Sequence, residues 1–302
     1  MTVVLAATDF SPNATHAAHR AALLAHGIGA RLTILHVLHG PSLRSLRALL
    51  GLSIDIEGRV RDEAAARLSA LALEISHETG ITAQEQVAVG DAVDEIAALG
   101  DTADLLVVGA HGASEIRDLL LGSTSERLLR RCRRPVLIVK RPPDAPYQRV
   151  LVPVAFGPTS MPALETTRLL VPEADTTVFN AFVVPYEDTL RSVGITDDRI
   201  ESYRMRMHQK SLRELEDLVD SLDVYGAHLH RSVAHGEAAS LILAKEKELQ
   251  SDLIVIGKRD KSLLQEMLPG SVTRHVLATS VADVLVVSED VTETNQGPGQ
   301  PE

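Results

Sequence analysis

Between two short apolar runs, Leu105–Val108 and Val136–Val139, the chain carries the pattern Gly109-x2-Gly112-x9-Gly122-Ser123-Thr124, with His111 and Arg117 in the intervening loop. These residue types, so spaced, suit the holding of a phosphate. Each apolar run is too short for a helix and contains β-branched residues, so it reads as a buried strand. Gly109 ends the first strand without a Cβ, which lets a ligand come close to the backbone. Gly122-Ser123-Thr124 opens a segment with helical spacing at Leu128, Leu129 and Cys132. Free N–H groups and the positive end of the helix dipole converge there. The Ser and Thr hydroxyls either cap the helix or bind a phosphate oxygen. His111 is placed to touch a phosphate; Arg117 serves that purpose or is a surface charge. Any one of these glycines alone reads as an ordinary turn residue. The combination between two strands is more specific, and it is neither G-x-G-x-x-G nor G-x4-G-K-[ST].

The spacing, followed by the strand Arg134-Pro135-Val136-Leu137-Ile138-Val139, resembles the ATP-binding signature of universal stress proteins. The resemblance implies that Gly109, Gly112, Gly122 and Ser123 contact the nucleotide phosphates and ribose. It also implies adenine contacts at Asp9, just past the first strand, and at the backbone of Val37, after His36, with Ala7 and Thr8 lining the same floor. From its residue type alone, Asp9 is equally a helix cap and an acceptor for an adenine amino group or ribose hydroxyls.

The elements that must position these residues recur. Val3–Ala7 reads as a strand, Thr8–Pro12 as a turn that caps a helix, and Leu32–Leu38 as the next strand. Ile56–Thr79 is helical in period, Thr82–Val89 alternates like a strand, and Gly90-Asp91 opens another helix. The same order returns about 146 residues later: Leu151 answers Leu5, Val233–Glu237 answers Val87–Asp91, and Gly270-Ser271 answers Gly122-Ser123. Alternating strands and helices predict parallel sheets with helices on both faces. Ligands in such sheets bind beyond the strand C-termini where the order reverses, which is where Asp9 and Gly109 would meet. The fold expected is α/β: two tandem Rossmann-like, doubly wound modules, each a five-stranded parallel sheet. The family resemblance implies strand order 3-2-1-4-5 in each and fifth strands paired across a dimer-like interface, here within one chain as a pseudo-dimer. The expected boundaries are 1–141, a Pro-rich linker at 142–147, a degenerate module at 148–291, and a disordered tail at 292–302.

A net charge of −11 argues against broad nucleic-acid or anionic-membrane binding. The basic run Arg130, Arg131, Arg133 and Arg134 reads as a solvated helix end. A single cysteine, Cys132, allows no intrachain disulfide and, at helical spacing from Leu128, reads as packed. No apolar stretch of ~20 residues occurs, so a soluble cytoplasmic protein without membrane insertion is expected.

The two halves differ where chemistry is expected. Ala155 stands where Asp9 does, and Asp260 replaces the second glycine in Gly257-x2-Asp260-x9-Gly270-Ser271. A carboxylate there repels phosphates, although Lys258, Arg259 and Lys261 surround it. No H-E-x-x-H, G-x-S-x-G, C-x-x-C or Walker lysine appears, so no catalytic residue and no protein metal site is assigned. His16/His19 and His228/His230 have ligand-like spacing but no evident carboxylate or thiol partner. The expected function is an ATP-binding stress-response regulator, with Mg2+ held mainly by nucleotide oxygens and water. The alternatives are a slow ATPase or adenylate-handling enzyme, and a carrier or scaffold. In the last, the second module holds an apolar ligand or a protein under a lid at Tyr186–Met207. A homo-oligomer remains an alternative to the intrachain pseudo-dimer.

Overall fold

A computed structural model of the chain describes residues 1–42, 56–112, 121–222, 228–258 and 272–289. Arg117, the second glycine loop at 259–271 and the tail from 292 lie outside these residues. The first half runs β1 Val3–Ala7, α1 Pro12–Ile28, β2 Arg31–His39, α2 Ile56–Thr79, β3 Ala83–Gly90, α3 Ala92–Gly100, β4 Leu105–Gly109, α4 Ser123–Arg131 and β5 Val136–Val139. The second half runs β6 Arg149–Pro153, α5 Ser160–Leu170, β7 Asp175–Phe182, α6 Glu187–Ser192, α7 Asp197–Asp220, β8 Leu229–His235, α8 Ala238–Leu249, β9 Leu253–Lys258, α9 Val272–Thr279 and β10 Asp283–Ser288. The segment expected as a lid is thus α6 and the first half of α7.

Local signals set these elements. Ser11 caps α1, its hydroxyl accepting the Ala14 amide, Pro12 occupies the first turn, and Gly29 ends the helix at φ 65°. Ala14, Ala17, Ala18, Ala21 and Ala25 give α1 a small buried face, so it lies close on the sheet. Asp91 caps α3 and Glu237 caps α8 at corresponding places. The amides they accept hold both carboxyls below their ordinary values; for Asp91 the Asp94 amide acts most.

The ten strands form one sheet in the order β3-β2-β1-β4-β5-β10-β9-β6-β7-β8. Each half contributes the order 3-2-1-4-5, and its neighbours are parallel. The halves meet where β5 and β10 pair antiparallel, with Leu285 opposite Leu137. Successive strand residues face opposite sides. Val4, Ala6, Leu105 and Val107 join α1 and α2 with α5 and α7 in one core. Leu5, Ala7, Leu106 and Val108 join α3 and α4 with α8 and α9 in the other.

Buried charges order the seam. Asp283, 1% exposed, accepts the Lys140 and Arg141 amides through Oδ1 and the Tyr147 hydroxyl through Oδ2. The Arg20 guanidinium of α1 lies 4.0 Å over the Tyr147 ring, and its Nε is 3.5 Å from Asp283. Lys140 donates to the carbonyls of Leu277 and Ser280 at the end of α9, while Lys258 donates to those of Leu129 and Cys132 at the end of α4. Each half therefore caps a helix of the other with a cation, where the dipole favours one. Lys258, expected beside Asp260, has its ammonium in this seam.

Replacing Asp283 by Ala should cost about 3–5 kcal/mol in urea unfolding, because Arg20 is left buried without its counterion. The exposed Asp144→Ala should stay within about 0.5 kcal/mol. Burial brings Lys140 down to about 8 from 10.5, against the opposing pull of Glu246 and Asp283. Between those two pH values the unfolded chain holds a proton that the folded one has released. The stabilisation from Lys140 is thus full above about 10.5 and lost as pH falls through about 8. Comparing urea midpoints at pH 7 and pH 9.5 should show wild type gaining on Lys140→Met at the higher pH.

Candidate functional site

The turn after β1 carries the first group of site residues. The Thr8 amide donates to the Leu35 carbonyl at 2.8 Å, and the His36 ring donates through Nδ1 to the Thr8 carbonyl, also at 2.8 Å. A carbonyl only accepts, so Nδ1 carries the proton. The Asp9 carboxylate is exposed, and its Oδ1 accepts the Ser11 amide at 3.0 Å. Ser11, not Asp9, caps α1, so the choice left open for Asp9 is decided against capping.

The second group lies where β4 ends and α4 begins. Gly122, which has no side chain, is the N-cap of α4, and among the described residues no side chain caps this end. The N-cap of α4 therefore supplies no side-chain acceptor of the kind that caps α1, α3 and α8. The Gly122 amide bonds the Ala110 carbonyl at 2.8 Å, and the Ser125 hydroxyl donates to the Gly109 carbonyl at 2.8 Å. These two bonds fasten the helix start to the strand end.

The glycines have distinct reasons. A Cβ on Gly112 would stand 2.7 Å from Asp9 Oδ2, so the loop and the carboxylate share one space. A Cβ on Gly122 would come within 3.1 Å of the Ala110 carbonyl oxygen. At Gly109 the expectation needs correction: a Cβ there would meet the Asn13 carbonyl at 2.8 Å. That glycine serves the close packing of α1 on β4, rather than ligand approach.

Ala7, Thr8, Asp9, Val37, Gly109, His111, Gly112, Gly122, Ser123 and Thr124 all line one cavity of about 450 Å3. Sequence reasoning missed Leu35, Ile96, Val108, Leu128 and Ser125, which give the same cavity an apolar wall and the bond to Gly109. Leu35 was accessible through register, since it pairs with Ala7. Ile96 and Leu128 arrive only through helix packing. The arrangement offers an apolar slot, a carboxylate and an open helix N-terminus, which together suit a ligand with a flat apolar part, hydroxyls and an anion.

The corresponding cavity of the second half is about 160 Å3 and is lined by Ala155 and Phe179, which answer Asp9 and Leu35. Elsewhere, α2 supplies His19 with the carboxylates that its local sequence lacks: Glu78 at 2.8 Å and Glu74 at 3.8 Å. His228 pairs with Asp175 at 3.0 Å. Among the described residues no three His, Cys, Asp or Glu side chains form a metal-holding group. Cys132 is buried, and desolvation pushes its thiol up to about 11, so it stays protonated at neutral pH. In the basic run, Arg130 pairs with Glu126 and Arg131 with Asp94, all partly exposed. No described helix is long and apolar enough to cross a membrane.

Comparison with known proteins agrees with the repeat. A universal stress protein of Mycolicibacterium smegmatis is 26% identical over 214 residues, 69% of each chain. One from Methanocaldococcus jannaschii is 26% identical over 89 residues, 29% of this chain and 54% of that one. The crystal structure of a universal stress protein from Archaeoglobus fulgidus DSM 4304 superposes with a TM-score of 0.66 at 23% identity, covering 95% of this chain and 98% of that chain. With the model of the Universal stress protein family matching twice, over residues 1–140 and 146–288, the chain belongs to that family as a tandem two-domain member.

Proposed function

We propose that the first half binds ATP and that occupancy of this site operates a regulatory protein of the stress response. The observation that carries this reading is the start of α4, with a glycine at its N-cap, lining one cavity together with Asp9. The triphosphate lies on the leading amides of α4, near Gly112, His111 and the hydroxyls of Ser123 and Thr124. The ribose and adenine lie against Asp9, the Val37 backbone and the apolar wall. A volume of about 450 Å3 falls in the range of about 300–1,000 Å3 usual for small-molecule sites. Mg2+ accompanies the phosphates, held by their oxygens and water.

The second half does not take the nucleotide in this reading. Ala155 offers no acceptor, Phe179 narrows the slot, and the cavity of about 160 Å3 is below the usual range. Asp260 adds a negative charge to the loop sequence. The working units are residues 1–141 and 148–291 joined by 142–147, in a cytoplasmic protein whose pseudo-dimer needs no second chain.

Titration with labelled ATP and Mg2+ should saturate at one nucleotide per chain. Asp9→Ala should weaken binding about tenfold, the worth of a hydrogen bond to a charged group. Gly112→Asp, which imports the second half's residue, should weaken it at least as much with the fold retained by circular dichroism. Saturation at two per chain, or indifference to Gly112→Asp, would sink the reading.

A further inference from the structure

The Thr8–Ser11 turn is held from the side of the sheet that α1 and α2 cover. Phe10 sits at φ 61°, a left-handed backbone that a bulky side chain adopts only when its surroundings hold it there. Its ring centroid lies 4.4 Å from that of His36, at 34°. The Arg67 guanidinium of α2 sits 4.2 Å from the Phe10 ring centroid. His36 also holds the Thr8 carbonyl, while the Phe10 amide donates to Thr8 Oγ1 at 3.0 Å and the Ser11 amide to Asp9 Oδ1 at 3.0 Å. The carboxylate that faces the cavity thus belongs to a turn whose strained residue is in contact with both an imidazole and a guanidinium. Neither His36 nor Arg67 lines the cavity.

The second half provides an internal comparison. Phe156 keeps the left-handed turn, at φ 51°. Asn180 replaces His36 and still donates to the corresponding carbonyl, that of Val154, at 2.9 Å. The hydrogen bond therefore does not require the ring. Among the described residues, Phe156 has neither a stacked ring nor a cation over it. The grip is present in the half that has a carboxylate to aim and absent from the half that has Ala155.

We infer that Arg67 and His36 are positioning residues of the nucleotide site, clamping Phe10 so that Asp9 is held toward base and ribose. This rests on the ATP reading for its ligand but not for its geometry. It gives α2, on the far side of the sheet, a direct mechanical link to the pocket.

The test uses the full chain as wild type, Arg67→Met, Arg67→Lys and His36→Asn, the last keeping the Thr8 hydrogen bond as Asn180 does for Val154. Amide exchange at Phe10 and Ser11 without nucleotide should quicken severalfold in Arg67→Met and His36→Asn and stay near wild type in Arg67→Lys. ATP affinity should fall about threefold to fivefold in the first two and recover in the third, the size of a cation–ring contact. Inorganic tripolyphosphate, which engages only the α4 end, should bind all four alike. Unchanged exchange, failure of Lys to restore, or parallel losses of ATP and tripolyphosphate would overturn the clamp. Should wild type not bind ATP, the nucleotide reading falls alone, and exchange still decides whether the turn is clamped.

Discussion

The antiparallel pairing of β5 with β10 is the constraint from which the rest of the molecule follows. Both strands are buried at every residue, and an apolar edge of that kind left in water invites association with other chains. Pairing covers both edges at once. It also makes one ten-stranded sheet, with two cores that run through both halves. The seam then buries charges, and each finds a partner in the other half. Lys140 and Lys258 meet helix-end carbonyls, and Asp283 gathers two amides and a phenol. Such contacts resist the independent movement of the halves.

Because closure is achieved within one chain, the two copies share the work of folding but need not share chemistry. Features that hold the fold persist in both. Asp104 and Asp252 each accept the amides that begin β1 and β6, Asp91 and Glu237 cap matching helices, and Phe10 and Phe156 keep the same left-handed turn. Features that face the cavity diverge, with Ala155 for Asp9 and Phe179 for Leu35.

Three local departures from good folding practice stand around the first cavity, and two of them recur in the second half, where Phe156 is also left-handed and α5 also starts without a side-chain cap bond. A helix begins with a glycine at its N-cap, a carboxylate stands exposed beside a glycine, and an aromatic residue occupies a backbone region that disfavours it. Strained or unsatisfied groups of this kind concentrate where a ligand is expected to complete them. Close packing a few ångströms away makes them tolerable: the alanine face of α1 on β4, and Ser125 on the Gly109 carbonyl.

By itself the sequence determined the order of elements, the internal repeat and ten residues that converge on one cavity, because strand and helix periods and turn residues are local signals. It also marked the asymmetry, since Ala155 and Asp260 are visible as letters. Tertiary structure decided what depends on distant approach. Gly109 answers to Asn13 of α1, which packs on β4, and Lys258 turns into the seam. Glu74 and Glu78 reach His19, and Arg67 reaches Phe10, only because α2 lies along that face. Such meetings join residues about 57 or more positions apart in several cases, and no local pattern encodes which of many compatible side chains will be the one in reach.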